Sequence, residues 1–373
     1  MVSDDNSWLL VLLILLAGGI AFFLLADAVN PSSTQFSAIP KSVPSGANLS
    51  FKEAHFQRAP VWSSYEGVIN GPNGDSLSSS DLGGKVYLLD FWTYSCINCI
   101  RTLPYIESWQ QRYGPQGLVI VGIHSPEFDF EKNRTNVEAA IKRFNLTTID
   151  VLDGEHRIWN AWGNAYWPNK FLIDGDGFIR YNRIGEGGYD ETEAAIRALL
   201  AERNNSMPSS PMAAPVLTSI DKIDFSQVGT PELYLGGNFR RAPLGNAPVT
   251  FITGAQSVFS PSDSLTPNLA YLNGTWSDEG DGLRLVSDTG DILLNYRAKD
   301  VHLVAEAGAS GPTSAMAYVD NILQRGPDAD ASGSVSFGPS RLYSMTSASD
   351  YGARTLRIHI TGAGLKAYSF TFG

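Results

Sequence analysis

Cysteine is scarce in this chain of 373 residues, which contains only Cys96 and Cys99. Two thiols exclude a multi-disulfide framework and a four-thiolate zinc site. Charge is thin as well. Only 17% of residues are charged and the balance is acidic, with a formal net charge of −11. An acidic chain of this kind repels phosphates, so nucleic acid is excluded as a partner. The five histidines, at positions 55, 124, 156, 302 and 359, show no paired spacing near the cysteines. No metal and no cofactor are therefore expected. Apolar residues, by contrast, are ample at 43%, which excludes a disordered chain. At roughly 150 residues per domain, the length suggests two folded domains plus connecting segments.

One long apolar run is present. Trp8 to Ala26 carries no charge, and nineteen residues at 1.5 Å each span roughly 28 Å, about a bilayer core. A single N-terminal transmembrane helix over 7–28 is expected, with a cleaved signal peptide as the rival because Ala26-Asp27-Ala28 has the A-x-A form. Residues 29–58 are rich in Ser, Pro and Gly and read as a tether.

An α/β domain is expected over 59–203. VYLLDFW (86–92) is a continuous apolar run suited to a strand buried on both faces. A helix is expected from about Ile97 to Tyr113, ended by Gly114-Pro115. Strands at 117–125 and 149–152, helices at 136–144, 155–162 and 192–204, and a hairpin joining 170–174 to 178–185 complete the pattern. Residues 204–229, with NNSMPSSPMAAP, read as a linker. Over 230–373, short β-rich runs such as VHLVAEA and TLRIHITG alternate with turn residues. That pattern predicts an all-β sandwich of jelly-roll type, folding independently and with few contacts across the linker.

Cys96-Ile-Asn-Cys99 directly follows the first strand and opens a helix. Unpaired N–H groups and the positive dipole end favour a thiolate there. The first cysteine is then the attacking sulfur, and the second lies one turn on, placed to resolve a mixed disulfide.

The segment VYLLDFWTYSCINCIRTLPYIESW resembles the thioredoxin-like domain of the DipZ family, close to the TlpA and ResA thiol oxidoreductases. GLVIVGIHSPEFDFEK, NAYWPNKFLIDGDGFIRY and GEGGYDETE extend the likeness. TPELYLG, LVAEAG and the terminal YSFTFG resemble the family's C-terminal β-sandwich of carbohydrate-binding-module type. The resemblance implies Cys96 as the attacking and Cys99 as the resolving cysteine. It also implies Pro168 as a cis-proline opposite them and Trp167 as the substrate-binding residue beside it. Asp90, six residues before Cys96, matches a buried acid whose raised pKa suits it to proton exchange with Cys99. The ResA-type glutamate three residues after the second cysteine is replaced by Thr102. That leaves Asp90 or Glu127 as the acid, and Glu127 and Trp92 are carried as supporting residues. The multi-helix CcdA-like membrane domain usual in the family is replaced here by a single apolar run, which implies a separate membrane electron donor of CcdA type.

Two further motifs carry less. Thr93-x-x-Cys96 has peroxiredoxin spacing but lacks the proline seven residues before the cysteine, where Leu89 stands. Asp278-Glu279-Gly280-Asp281-Gly282 offers oxygen ligands for calcium without the EF-hand spacing. Trp276 and Tyr271 could stack on sugar rings, but aromatics of this kind are more often core or rim residues of a sandwich. The reading is a membrane-anchored, extracytoplasmic thiol–disulfide oxidoreductase acting on disulfide-containing proteins, with reduction favoured over oxidation. A glycan at the sandwich is the additional partner considered. The competing class is a cell-surface glycan- or protein-binding module with a vestigial thioredoxin domain.

Overall fold

The computed structural model describes residues 49–62, 64–72, 74–204, 223–262, 264–308 and 311–373. The apolar run Trp8–Ala26 and most of the expected tether and linker lie outside them. Among the described residues no helix is long and apolar enough to cross a membrane.

The first described element lies inside the expected tether. Helix α1 (Leu49–His55) buries Lys52, whose ammonium pairs with Asp174, Asp176 and Glu202 at 3.0, 2.7 and 2.7 Å. A seven-residue helix is marginal by itself. Here a charge cluster shared with Arg180 holds it to the rest of the fold, so periodicity gave no sign of it.

Next come β1 (Gly67–Ile69), β2 (Val86–Trp92), α2 (Ile97–Tyr113), β3 (Leu118–His124), α3 (Arg134–Phe144), β4 (Ile149–Leu152), α4 (Arg157–Ala161), β5 (Asn169–Ile173), β6 (Ile179–Ile184) and α5 (Tyr189–Asn204). The six strands form one sheet in the order β1-β4-β3-β2-β5-β6. β2, β3 and β4 run parallel, whereas β5 is antiparallel to β2 and β6 to β5. All seven β2 residues are buried, as a central strand covered on both faces requires. This is a thioredoxin-like α/β domain.

The second domain is β-rich: β7 (Leu233–Tyr234), β8 (Gln256–Phe259), β9 (Ala270–Asp278), β10 (Leu283–Leu285), β11 (Thr289–Glu306), β12 (Thr313–Val319), β13 (Ile322–Leu323), β14 (Ser334–Phe337), β15 (Arg341–Thr361) and β16 (Lys366–Phe372). The burial of β12 alternates along its length, the period-2 pattern of a strand with one face in the core. β11 pairs with β9 through 291–294 and with β16 through 301–306. Register shifts between Ala298 and Asp300 and between Val301 and His302 interrupt its ladder with β15, and such irregularities re-aim a strand. Trp276, Leu294, Ile358 and Phe370 are among the fully buried core residues.

The two domains share an apolar seam, which the linker composition did not foretell. Phe128, Tyr234, Val304, Leu342 and Tyr368 form a buried cluster, with Ile97, Ile100 and Phe130 packed against it. A register shift at Tyr368 makes this possible. Val304 pairs with Ser369 and Ala305 with Ala367, so Tyr368 is skipped. Ala367 and Phe370 then join the domain core while Tyr368 joins the seam. Seam and core use the same residue types, so apolar patterning could not separate them.

Candidate active site

Strand β2 delivers the chain to the short loop 93–95, and Cys96 is the N-cap of α2 with extended backbone. Its sulfur accepts the Cys99 N–H at 3.2 Å, occupying one of the unpaired donors of the helix start. Both cysteines are free, Cys96 half-buried and Cys99 buried. Burial, reinforced by the neighbouring Cys96 sulfur and by Asp90, pushes the Cys99 thiol well above the ordinary range, with the Thr93 backbone opposing. Access and chemistry are thus unequal at the two sulfurs.

Beneath the pair lies a set of buried ionisable groups. Asp90 is 2% exposed, and its Oδ1 has no hydrogen-bond partner among the described residues. Burial pushes its pKa up to about 7, against the pull of Lys170. Lys170 stands directly opposite on β5 and is fully buried, with its Nζ donating to the Gly185 carbonyl at 3.0 Å. Burial lowers the Lys170 pKa, while Asp90 and Cys99 oppose that shift. On the other side of β2 from Lys170, two strands away on β4, Asp150 is likewise pushed to about 7 by burial. It accepts the Trp92 Nε1–H at 2.9 Å. A Cβ on Gly122 would lie 2.1 Å from Asp150 Oδ1 and 2.8 Å from Trp92 Nε1, so this contact needs glycine there. His124 is buried between Trp92 and Tyr94, and burial lowers its pKa to about 3. It stays neutral at ordinary pH.

The Trp167–Pro168 peptide is cis. Trp167 donates Nε1–H to the Ser125 carbonyl at 3.0 Å and lies 4.2 Å from the Trp159 ring. Trp167 and Cys96 pack against the same buried cluster, which contains Cys99, Trp92 and Tyr94. The fold therefore gathers Cys96, Cys99, Asp90, Trp92 and Trp167 about one end of β2. Glu127 sits differently. Its carboxylate accepts from the Tyr234 hydroxyl of the C-terminal domain, which also lies 2.9 Å from Glu232. Burial and the neighbouring Glu232 push Glu127 well above the usual carboxylate range.

Sequence reasoning passed over Lys170, Asp150 and Glu131. A lysine inside the apolar run KFLI was a readable flag, since lysine is almost never fully buried without a partner. Glu131, in a short 3-10 turn (Asp129–Lys132), had no such signal. The other motifs resolve plainly. Trp276 and Tyr271 are buried and offer no exposed stacking face. Asp278 is engaged with Arg240 and with the Gly237 and Gly280 N–H groups.

Residues 58–200 match the redoxin family model, and residues 230–373 match the model described as thioredoxin-like C-terminal domain. The protein DipZ of Mycobacterium tuberculosis is 32% identical over 316 residues, which is 84% of this chain and 43% of DipZ. The thiol-disulfide oxidoreductase ResA of Geobacillus thermodenitrificans is 32% identical over 113 residues, 30% of this chain and 62% of ResA. The thiol-disulfide oxidoreductase YkuV of Bacillus subtilis is 25% identical over 130 residues, 35% of this chain and 87% of YkuV. The chain thus spans less than half the length of the DipZ protein it matches. Its first domain, residues 58–200, matches the redoxin family and is similar to these thiol-disulfide oxidoreductases.

Proposed function

The chain is a DipZ-like protein, a redoxin domain followed by a thioredoxin-like C-terminal domain, and from that premise we propose that it exchanges disulfides with protein substrates through Cys96. The observation that carries this is the inequality of the two sulfurs: one reachable at a helix start, one buried beside an acid. The Cys96 thiolate attacks a substrate disulfide, forming a mixed disulfide and releasing one substrate sulfur as a thiolate, which takes a proton from solvent. Asp90, with a pKa near neutrality, accepts the Cys99 proton. The Cys99 thiolate then attacks the Cys96 sulfur, expels the second substrate thiol and leaves a Cys96–Cys99 disulfide. Two electrons have passed to the substrate. Trp167 and Pro168, beside the pair, are the substrate-facing residues in this scheme.

Reduction is the direction proposed, with electrons returned by a separate membrane donor of CcdA type. The Trp8–Ala26 run supports an anchor, and thiol chemistry paired with disulfide substrates supports an extracytoplasmic setting. The long strands β11 and β15, with register shifts between them, and the pairing of β11 with both β9 and β16 support reading that domain as a jelly-roll-like sandwich. A glycan site there loses Trp276 and Tyr271, which are buried. The test is reduction of insulin by the full chain under a thiol supply. Cys96→Ser should abolish turnover, and Cys99→Ser should accumulate a mixed disulfide. Turnover surviving in Cys96→Ser would sink the reading.

A further inference from the structure

The C-terminal domain meets the redox domain along loop 125–131, and that loop is tied to the residue before Cys96. The tie is Glu131, which is 1% exposed. Its Oε1 accepts the Ser95 N–H at 3.2 Å and the Ser95 hydroxyl at 2.6 Å. Its Oε2 accepts the backbone N–H of Glu127 at 2.6 Å and of Phe128 at 3.0 Å. One carboxylate therefore staples two loops, and four donated hydrogen bonds meet the cost of burying it. The far side of loop 125–131 belongs to the seam. The Glu127 side chain accepts from Tyr234 of the C-terminal domain. The Phe128 ring packs on Tyr234, Phe239 and Tyr368, and Phe130 lies between Tyr94 and Tyr368. Ile97, between the two cysteines, packs on the same seam.

We propose that Glu131 is a positioning residue for Cys96, and that the C-terminal domain sets its geometry through Tyr234 and loop 125–131. The proposal rests on the disulfide-exchange reading above. It makes the β-rich domain part of the redox centre's support. That reverses the independence expected from the linker.

The experiment uses the full chain and the small aromatic disulfide 5,5′-dithiobis(2-nitrobenzoate), so that protein-substrate recognition plays no part. Glu131→Gln should slow exchange about tenfold and Tyr234→Phe about threefold, because each loosens the same staple. In the double variant the losses should not multiply, and its rate should equal that of Glu131→Gln alone. The geometry described is that of the dithiol, so loosening it should also shift the equilibrium with glutathione toward the disulfide. A threefold shift corresponds to about 14 mV. Val258→Ala, at an exposed position of β8, is the control and should leave rate and equilibrium unchanged. If Glu131→Gln fails to fold, Ser95→Ala takes its place in the cycle, since it deletes one of the four donors. A wild-type rate and equilibrium in Tyr234→Phe would overturn the proposal, as would multiplicative losses in the double variant. Exchange that persists in Cys96→Ser would instead overturn the proposed function, so the two failures are distinguishable.

Discussion

Asp90 of the redox domain and Asp278 of the C-terminal domain are both buried, at 2% and 0% exposure, and they meet that burial in opposite ways. Asp278 is fully partnered: its Oδ1 accepts from the Gly237 and Gly280 N–H groups at 3.0 Å, and its Oδ2 pairs with Arg240. Asp90 leaves an oxygen unpartnered and faces a lysine whose ammonium donates elsewhere, to Gly185. Compensation decides the outcome. A buried carboxylate paired with a guanidinium is a structural brace, whereas Asp90, buried without such a pair, keeps a proton affinity near neutrality that catalysis can use.

Substituting the two aspartates should separate these roles. The larger effect is expected at Asp278, where Asp278→Asn leaves Arg240 without its partner. Urea unfolding should show a loss on the order of 3 kcal/mol, as for other broken buried pairs. A loss below about 1 kcal/mol would place Asp278 with ordinary surface residues. Asp90→Asn should act on rate instead. Resolution of the mixed disulfide at pH 7 should slow by about 100-fold, the scale of a lost general base. The limb of the rate profile near pH 7 should go with it, since that limb reports Asp90 in the field of Lys170, Cys99 and Asp150. An unchanged pH profile would remove Asp90 from the mechanism.

The smallest effect sharpens the comparison by domain. Raised carboxylate pKa values give stability that is complete below about pH 4 and lost as pH rises through about 7. Asp90 and Asp150 are of this kind, and Glu127 shares the direction. His124 and the ion-paired Asp174 act against them in the same domain. In the C-terminal domain His302 is held at about 3 by burial, with Arg101 adding to the shift and Asp328 opposing it. A histidine depressed in this way gives stability above about pH 6.5 that is lost as pH falls toward 3. Glu232, at the seam, opposes it. From pH 4 to 7, hydrogen-exchange protection in 86–92 should therefore fall relative to that in 289–306, by an amount on the order of 1 kcal/mol after correction for intrinsic rates. A change of the same sign and size in both segments would contradict the contrast.

Much of the redox domain was legible in the chain itself. VYLLDFW is β2 and INCIRTLPYIESWQQRY is α2, to the residue, because a doubly buried strand and a capped amphipathic helix leave strong local patterns. Helix α3 begins at Arg134 rather than Asn136, since Asn133 supplies the cap by accepting the Thr135 N–H. Helix α1 was invisible, because an ion-pair cluster built from residues more than a hundred positions away holds it in place.

The sequence by itself determined the thiol chemistry, for Cys-x-x-Cys at a helix start is a local arrangement whose consequences follow from backbone geometry. It also determined the order of an α/β domain before a β-rich one, since periodicity is read within a few residues. Only the tertiary structure decided that Glu131 reaches Ser95, that Lys170 lies opposite Asp90, and that Tyr234 closes over Glu127. These contacts join residues 36, 80 and 107 positions apart, where side-chain type carries no record of the partner. Their energetics come from burial, which is a property of the packed whole and is absent from any single stretch of chain.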